Sequence, residues 1–124
     1  MNEITVLYIE PLRQPRLVTI PHTLDAMNAL VEGSIACTYP WDDEIGLVHS
    51  DDAIAEGAKP NRVVEGGIVY GPFFLAGLGA EDFIDIPEEL INKYTAQFVS
   101  PEVFIPAGDH VAVIKIVSSP EVFT

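Results

Sequence analysis

Two short apolar runs at the start of the chain predict a β-hairpin. The first, 4–9, is rich in β-branched and aromatic residues, which suit a half-buried pleated surface. Pro11 follows this run and closes it, because proline has no N–H group to donate to a strand ladder. The second run, 16–20, comes after a connection of hairpin-loop length. We therefore predict two neighbouring antiparallel strands.

The spacing of apolar positions then changes to that of a helix. Between Leu24 and Val31 the apolar residues recur every three or four positions, so that they share one helical face. Thr23 is a suitable N-cap, because its hydroxyl can accept a hydrogen bond from the first turn. Gly33 can take the left-handed position that commonly ends a helix. The pattern predicts a helix between these two residues.

A second helix is predicted near the end of the chain. Asp85 and Glu88 have the spacing of a capping box, and Pro87 between them suits a first helical turn. An apolar stripe follows and ends at Phe98. Pro101 comes soon afterwards and cannot continue the helix.

Four more apolar segments predict strands, at 34–39, 45–49, 68–78 and 111–117. The third is the most apolar segment of the chain, and we expect it to form a central strand with a bend at Gly71-Pro72. A polar connection, 50–61, precedes it. We expect this connection to contain a short helical turn at 52–56 and to end in a turn at Pro60-Asn61.

The predicted order is β-β-α-β-β-β-α-β. This order indicates an α+β fold, a small mixed or antiparallel sheet with two helices packed on one face. A chain of 124 residues is typical of one domain. We assign 1–99 to that domain, and 100–124 to a C-terminal extension with one further strand packed on the same domain.

Charge narrows the possible partners. The chain holds 19 acidic and six basic residues, for a formal net charge of −13. Residues 41–89 alone hold 12 of the acids and two of the bases. A field of this sign repels phosphate groups, so we expect no direct binding to nucleic acid or to a membrane. It suits a basic protein partner, a cation or simple solubility.

The remaining composition suggests a cytoplasmic protein. No apolar run reaches the roughly 18 residues that a membrane-spanning helix needs, and the first residues lack the features of a signal peptide. Cys37 is the single cysteine, so no internal disulfide can form. We expect a monomer, or a homodimer formed by edge pairing of the apolar strand at 111–117, and no cofactor.

Several short motifs follow one another in an order that resembles a known family. They are Glu-Pro at 10–11, Thr-Leu at 23–24, Pro-Asn-Arg at 60–62 and Gly-Gly-Ile-Val-Tyr-Gly at 66–71. Over roughly residues 2–99 the chain resembles the small bacterial and phage proteins grouped as domain of unknown function 3846. The family name implies no established activity. Its typical setting in phages and mobile elements implies a regulatory or counter-defence role, by association.

Two groups of polar residues are candidate sites. Asn61 and Arg62, together with Tyr70, are expected to line a polar site for a small anionic ligand. The structural alternative is that Arg62 pairs with a carboxylate and braces the loop. The acidic residues expected to form a partner-facing patch are Asp42, Asp43, Glu44, Asp51 and Asp52. They lack the spacing of a calcium-binding loop, and we predict no metal site.

The sequence contains no recognisable catalytic motif. Glycine patterns of hydrolases, P-loops and dinucleotide-binding folds are absent from the sequence. Cys37 and His49 lie on predicted neighbouring strands, where they would serve as nucleophile and base. The alternative is that Cys37 packs in the core as a small apolar residue. We expect a protein that is not an enzyme.

Three functional hypotheses follow. The first is a non-enzymatic binding or interaction module of phage or mobile-element origin. The second is a domain that binds or sequesters a small molecule, either an anionic ligand or a nucleotide. The third is an acidic DNA mimic that counters a host defence, since a domain roughly 30 Å across spans B-DNA carrying about 18 phosphate charges.

Overall fold

The structure is a computed structural model that describes residues 2–117. The two helices within these residues are α1, Leu24–Val31, and α2, Glu88–Phe98. The strands are β1 Glu3–Ile9, β2 Arg16–Pro21, β3 Ile35–Thr38, β4 Ile45–Ser50, β5 Pro60–Val64, β6 Gly67–Tyr70, β7 Phe73–Leu78, β8 Phe83–Ile84, β9 Glu102–Ala107 and β10 His110–Lys115. The longer helix, α2, has 11 residues, and within residues 2–117 neither helix could span a bilayer.

The main sheet is antiparallel and has β7 at its centre. Its strand order is β2-β1-β7-β4-β3, and β8 pairs with β7 beyond the part of β7 that pairs with β1. This confirms the predicted combination of a largely antiparallel sheet with two helices. The predicted element order lacked β5, β8 and β9, which the structure adds.

The two helices pack on opposite faces of the main sheet. Met27 of α1 belongs to a buried cluster with Val6 and Tyr8, whereas Phe98 of α2 belongs to a cluster with Leu7. Successive residues of a strand point to opposite faces, so the alternation along β1 separates these two clusters. The expectation that both helices share one face is therefore wrong, because β1 is apolar on both sides and each side needs a cover.

The ends of α1 follow the sequence only in part. Thr23 is the N-cap as predicted, and its hydroxyl accepts a hydrogen bond from the Ala26 N–H at 3.1 Å. The left-handed residue at the other end is Glu32, with φ of 60°, instead of Gly33. Gly33 is required for space, since a Cβ there would lie 2.1 Å from the Ser50 hydroxyl oxygen.

The predicted capping box of α2 does not form. Pro87 is the N-cap residue, and no side chain caps the helix. The Asp85 carboxylate instead accepts a hydrogen bond from the Thr5 N–H at 2.8 Å, and the Ile86 N–H donates to the Thr5 carbonyl at 3.0 Å. This segment binds the backbone of β1, so Asp85 cannot turn back to the helix.

The segment 68–78, predicted to be one central strand, is two strands in different sheets. Gly71 takes a φ of 77°, and Pro72 follows it, so the chain turns between β6 and β7. β6 pairs with β5 as a separate hairpin. Val64 and Val69 of this hairpin pack with the cluster beneath α2, so the β5–β6 hairpin covers the same face of the main sheet as α2.

The C-terminal extension contains two strands where one was predicted. β9 and β10 pair only with each other in residues 2–117, and the predicted strand at 111–117 is observed as His110–Lys115. The Glu102 carboxylate ties β9 to the domain, since it accepts a hydrogen bond from the Val63 N–H at 2.9 Å. The rest of the predicted extension, 118–124, lies outside the described residues.

Candidate functional site

A β-bulge at the start of β5 places Asn61 and Arg62. The pairing register shifts between Pro60 and Arg62, which inserts an extra residue and breaks the normal alternation of sides. As a result both Asn61 and Arg62 are 0% exposed. The expected turn at Pro60-Asn61 is therefore the first part of a strand, where proline is tolerated because it opens the strand.

Arg62 joins three segments that are distant in sequence. One terminal nitrogen donates to the Arg13 carbonyl at 2.6 Å and to the Phe98 carbonyl at 2.9 Å. The other donates to the Asn61 side-chain oxygen at 2.8 Å, with longer contacts to the Asn61 and Glu10 carbonyls. Phe98 is the last residue of α2, and a helix C-terminus favours a cation. Arg62 braces the fold, which agrees with the structural alternative, but it does so through carbonyl and amide oxygens instead of a carboxylate.

Asn61 completes this buried network. Its side-chain NH₂ donates to the Ile9 carbonyl at 3.0 Å and to the Gly71 carbonyl at 2.9 Å. Burial lowers the pKa of the Arg62 guanidinium, and the nearby Glu102 carboxylate opposes that shift. Arginine nevertheless keeps its charge in proteins. Every hydrogen bond of these two side chains goes to a group of the protein itself, and the buried Arg62 Nε has no partner within residues 2–117. Because both side chains are also 0% exposed, the structure contradicts the prediction that they line a ligand site.

The five acidic candidates do not form one patch. Asp42, Asp43 and Glu44 precede β4, whereas Asp51 and Asp52 follow it. A strand of six residues separates the two groups by roughly 20 Å. Nowhere in residues 2–117 do three or more His, Cys, Asp or Glu side chains come together in a way that could hold a metal ion.

Asp43 differs from the other four of these acids because its carboxylate already accepts side-chain hydrogen bonds. One oxygen accepts hydrogen bonds from the Lys93 ammonium and the Tyr94 hydroxyl, both at 2.6 Å. The hydrogen bond from Lys93, followed by the one from Tyr94, lowers the pKa of the Asp43 carboxyl. These contacts fasten the loop before β4 to α2, so Asp43 has a structural role.

Tyr70, the third predicted ligand residue, lines a cavity of about 590 Å³. This cavity lies between β4 of the main sheet and the β5–β6 hairpin, and Asp51 and residues 53–55 border it. A helical turn forms over 52–56 as expected, with the Glu56 N–H donating to the Asp52 carbonyl at 3.0 Å. The apolar part of the lining includes Leu47, Ala53, Val64, Ile68 and Val69.

His49 supplies a polar group to the lining of the cavity. Its Nδ1 lies 3.1 Å from the Ser50 carbonyl oxygen, and because a carbonyl only accepts, Nδ1 carries the proton. In the neutral ring Nε2 is then an acceptor. No hydrogen bond within residues 2–117 engages His49 Nε2 or the Tyr70 hydroxyl, so both are available to a ligand.

Cys37 and His49 cannot act together. Cys37 packs with the cluster beneath α1, whereas Leu47, two residues before His49, packs with the cluster beneath α2. Residues two apart on a strand share a face, so His49 and Cys37 lie on opposite faces of the sheet. Burial also raises the pKa of the Cys37 thiol, which disfavours the reactive thiolate.

The alternation along β4 was the sequence signal for the cavity. Leu47 and His49 point to the same face of the main sheet. Leu47 is buried in the core and His49 is polar, so the core ends between these two residues on that face. The second wall could not be anticipated, because it depends on the β5–β6 hairpin folding back over that face. From the sequence, His49 is a candidate only as a base for Cys37, and the ligand site is expected at Asn61 and Arg62, which support the cavity wall.

Comparison with known proteins places the chain in a family. The family model described as "Domain of unknown function (DUF3846)" matches residues 4–99. No curated protein and no solved structure matches the chain. The matched segment contains both helices and β1 to β8 almost entirely, and it ends just before the β9–β10 hairpin. Since the match covers well over half of the sequence, the chain belongs to the DUF3846 family.

Proposed function

We propose that this protein is a non-enzymatic binding module whose cavity beside His49 and Tyr70 holds an apolar ligand with a hydrogen-bond-donating or positively charged end. The observation that carries the proposal is the cavity itself. Its volume of about 590 Å³ falls within the roughly 300–1,000 Å³ typical of small-ligand pockets, which are mostly apolar with a few convergent polar groups.

The polar groups favour a donor over an anion. His49 Nε2 is an acceptor in the neutral ring, so it suits an N–H or O–H group of the ligand. Asp51 also lines the cavity and is exposed at its edge, and a carboxylate there repels negative charge. Both features argue against the anionic ligand or nucleotide of the second hypothesis.

The same chemistry fits a protein partner that inserts an apolar side chain next to a basic one. A basic partner agrees with the net charge of −13, and an origin in a phage or mobile element agrees with the typical setting of the family.

The DNA-mimic hypothesis receives less support. A phosphate-like row needs evenly spaced carboxylates, whereas the two acidic groups beside β4 stand at its opposite ends.

Two probes with one apolar body and opposite charge test the proposal. We expect tryptamine to shift the backbone amide NMR signals of residues that line the cavity, and indole acetate to shift them much less. Thr38→Trp should block the cavity, since Thr38 is an exposed strand residue of its lining. His49→Ala should weaken tryptamine binding about tenfold through loss of one hydrogen bond.

His110→Ala serves as the matched control, because His110 lies at the start of β10, outside the cavity lining. It should leave tryptamine binding unchanged. Equal binding of both probes would contradict the proposed ligand polarity. Binding that persists in Thr38→Trp, or shifts confined to other parts of the molecule, would contradict the cavity as the site.

A further inference from the structure

The β9–β10 hairpin carries an apolar surface that nothing in residues 2–117 covers. Every residue of β10 is exposed. Val111 and Val113 point to one face of the hairpin, and Ile114 and Ile116 point to the other. Their exposed fractions run from 39% to 52%. A two-stranded sheet alone is at best marginally stable in water and needs further strands or a packed face.

β10 also has an open edge. Within the described chain only β9 pairs with it. Ile116 donates its N–H toward the β9 side, to the Pro101 carbonyl at 2.7 Å. Because the N–H groups of a strand alternate between its two sides, those of Val111, Val113 and Lys115 face the open edge. The edge has no proline, and its one lysine is the last residue, so the usual protection against strand pairing is weak.

Charge indicates which partner covers this edge. Residues 103–117 hold one acid, Asp109, and one base, Lys115, so their formal net charge is zero. Residues 2–102 hold 17 acids and five bases. A basic partner is attracted elsewhere on the molecule, whereas a second copy can approach this hairpin with the least repulsion. We propose that β10 pairs antiparallel with β10 of a second copy, which forms a four-stranded sheet and a homodimer.

Symmetry and charge fix the register of this pairing. When a twofold axis relates two identical antiparallel strands, one residue lies opposite its own copy. With Ala112 at that position, Val111 lies opposite Val113 of the second copy. Asp109, in the turn just before β10, then comes beside Lys115 of the second copy. Each of these pairs occurs twice. β-branched pairs and opposite charges across neighbouring strands both stabilise a sheet.

Sedimentation velocity of the full chain over a range of concentrations tests the dimer. We expect a reversible monomer–dimer equilibrium in the wild type. Lys115→Asp places an aspartate opposite Asp109 at both ends of the pairing, and it should raise the dimer dissociation constant about tenfold or more. Lys59→Asp is the matched control, because it makes the same change of net charge at an exposed residue outside the hairpin. It should change the dissociation constant much less.

Two further variants make the test specific. Combining Asp109→Lys with Lys115→Asp exchanges the charges and should restore the dimer. Val113→Pro removes an N–H group from the open edge without removing a bond to β9, and it should abolish the dimer. A wild-type chain that stays monomeric up to about 1 mM would overturn the proposal. So would a dimer that is indifferent to both Lys115→Asp and Val113→Pro.

Discussion

Asn61 and Arg62 stabilise the fold, although their polar side chains resemble a ligand site in the sequence. An arginine with 0% exposure is unusual, because burial of a charge is unfavourable unless hydrogen bonds compensate. Here the compensation comes from carbonyls of the loop after β1, the β5 strand and the end of α2. The β-bulge between Pro60 and Arg62 makes this possible, since it turns two successive side chains inward.

We predict that Arg62→Lys destabilises the protein by about 3 kcal/mol, because a single ammonium cannot replace the fork of donors and leaves buried carbonyls unpaired. Asn61→Ala should destabilise it by about 2 kcal/mol for the same reason. Urea denaturation measures both values. Arg16→Lys is the control, because Arg16 is exposed and pairs with Glu10 at 3.4 Å. This substitution should change the free energy of unfolding by less than about 0.5 kcal/mol. Equal losses in Arg62→Lys and Arg16→Lys would contradict the role of Arg62.

Asp43 gives a pH-dependent prediction. Hydrogen bonds from Lys93 and Tyr94 lower the pKa of its carboxyl in the folded state. A group with a lowered folded-state pKa contributes stability that is present above its unfolded pKa, about 3.9, and is lost as pH falls through the folded value. We therefore expect Asp43→Asn to be less stable than wild type at about pH 6, and expect the difference to shrink below about pH 4.

Urea denaturation across this pH range measures the difference between the two chains. Asp52→Asn controls for the loss of one negative charge, since Asp52 is exposed in the turn after β4. A gap between wild type and Asp43→Asn that stays constant down to about pH 3 would show that ionisation of Asp43 is not the cause.

At the scale of elements, local patterns predicted what depends on local chemistry. The β1–β2 hairpin and α1 with its Thr23 cap follow from apolar spacing and capping, and both are confirmed. β5 was missed because Pro60-Asn61 has the composition of a turn. The segment is a strand because it pairs with β6, and the buried hydrogen bonds of the Asn61 side chain hold its first residues in place. The predicted ligand site at Asn61 and Arg62 was wrong for the same reason. The sequence identifies both residues as polar, but it does not show that their donors bind backbone carbonyls of distant segments.

The bend between β6 and β7 decides where the β5–β6 hairpin lies. Gly71 has a φ of 77°, and an added Cβ would lie 3.3 Å from the Ala58 Cβ. Gly71→Ala should therefore be destabilising by about 2 kcal/mol, from the backbone conformation and from the close contact together. Gly57 has a φ of 76° and open space around it, so Gly57→Ala should show only the backbone part, about 1 kcal/mol.

Thermal and urea denaturation of the two alanine variants measure these values. The difference between them isolates the contact with the turn that borders the cavity. If Gly71→Ala were no more destabilising than Gly57→Ala, the contact at Ala58 would be relaxed at no cost, and the bend would be less constrained than its geometry indicates.

At the scale of the whole molecule, repulsion among the acidic residues destabilises the folded state. The net charge is −13. Residues 2–117 contain two ion pairs between an arginine or lysine and a carboxylate, Arg16–Glu10 and Lys93–Asp43. The side chains of both pairs remain partly exposed. Exposed ion pairs of this kind stabilise a protein by about 1 kcal/mol or less each, so these two leave most of the repulsion among the acids in place. Self-repulsion among the acids is long-range, and it acts on the folded state more than on the expanded unfolded chain.

We therefore predict that added salt stabilises the protein. Raising NaCl from about 10 mM to 0.3 M shortens the screening length from roughly 30 Å to below 8 Å and should raise Tm by a few degrees. The measurement belongs in the Val113→Pro background, so that salt-dependent dimerisation does not contribute. Replacing Asp51 and Asp52 by lysine should raise Tm at low salt and reduce the further gain on adding salt. A Tm that falls with NaCl would mean that attraction within ion pairs outweighs repulsion among the acids, which would contradict the prediction.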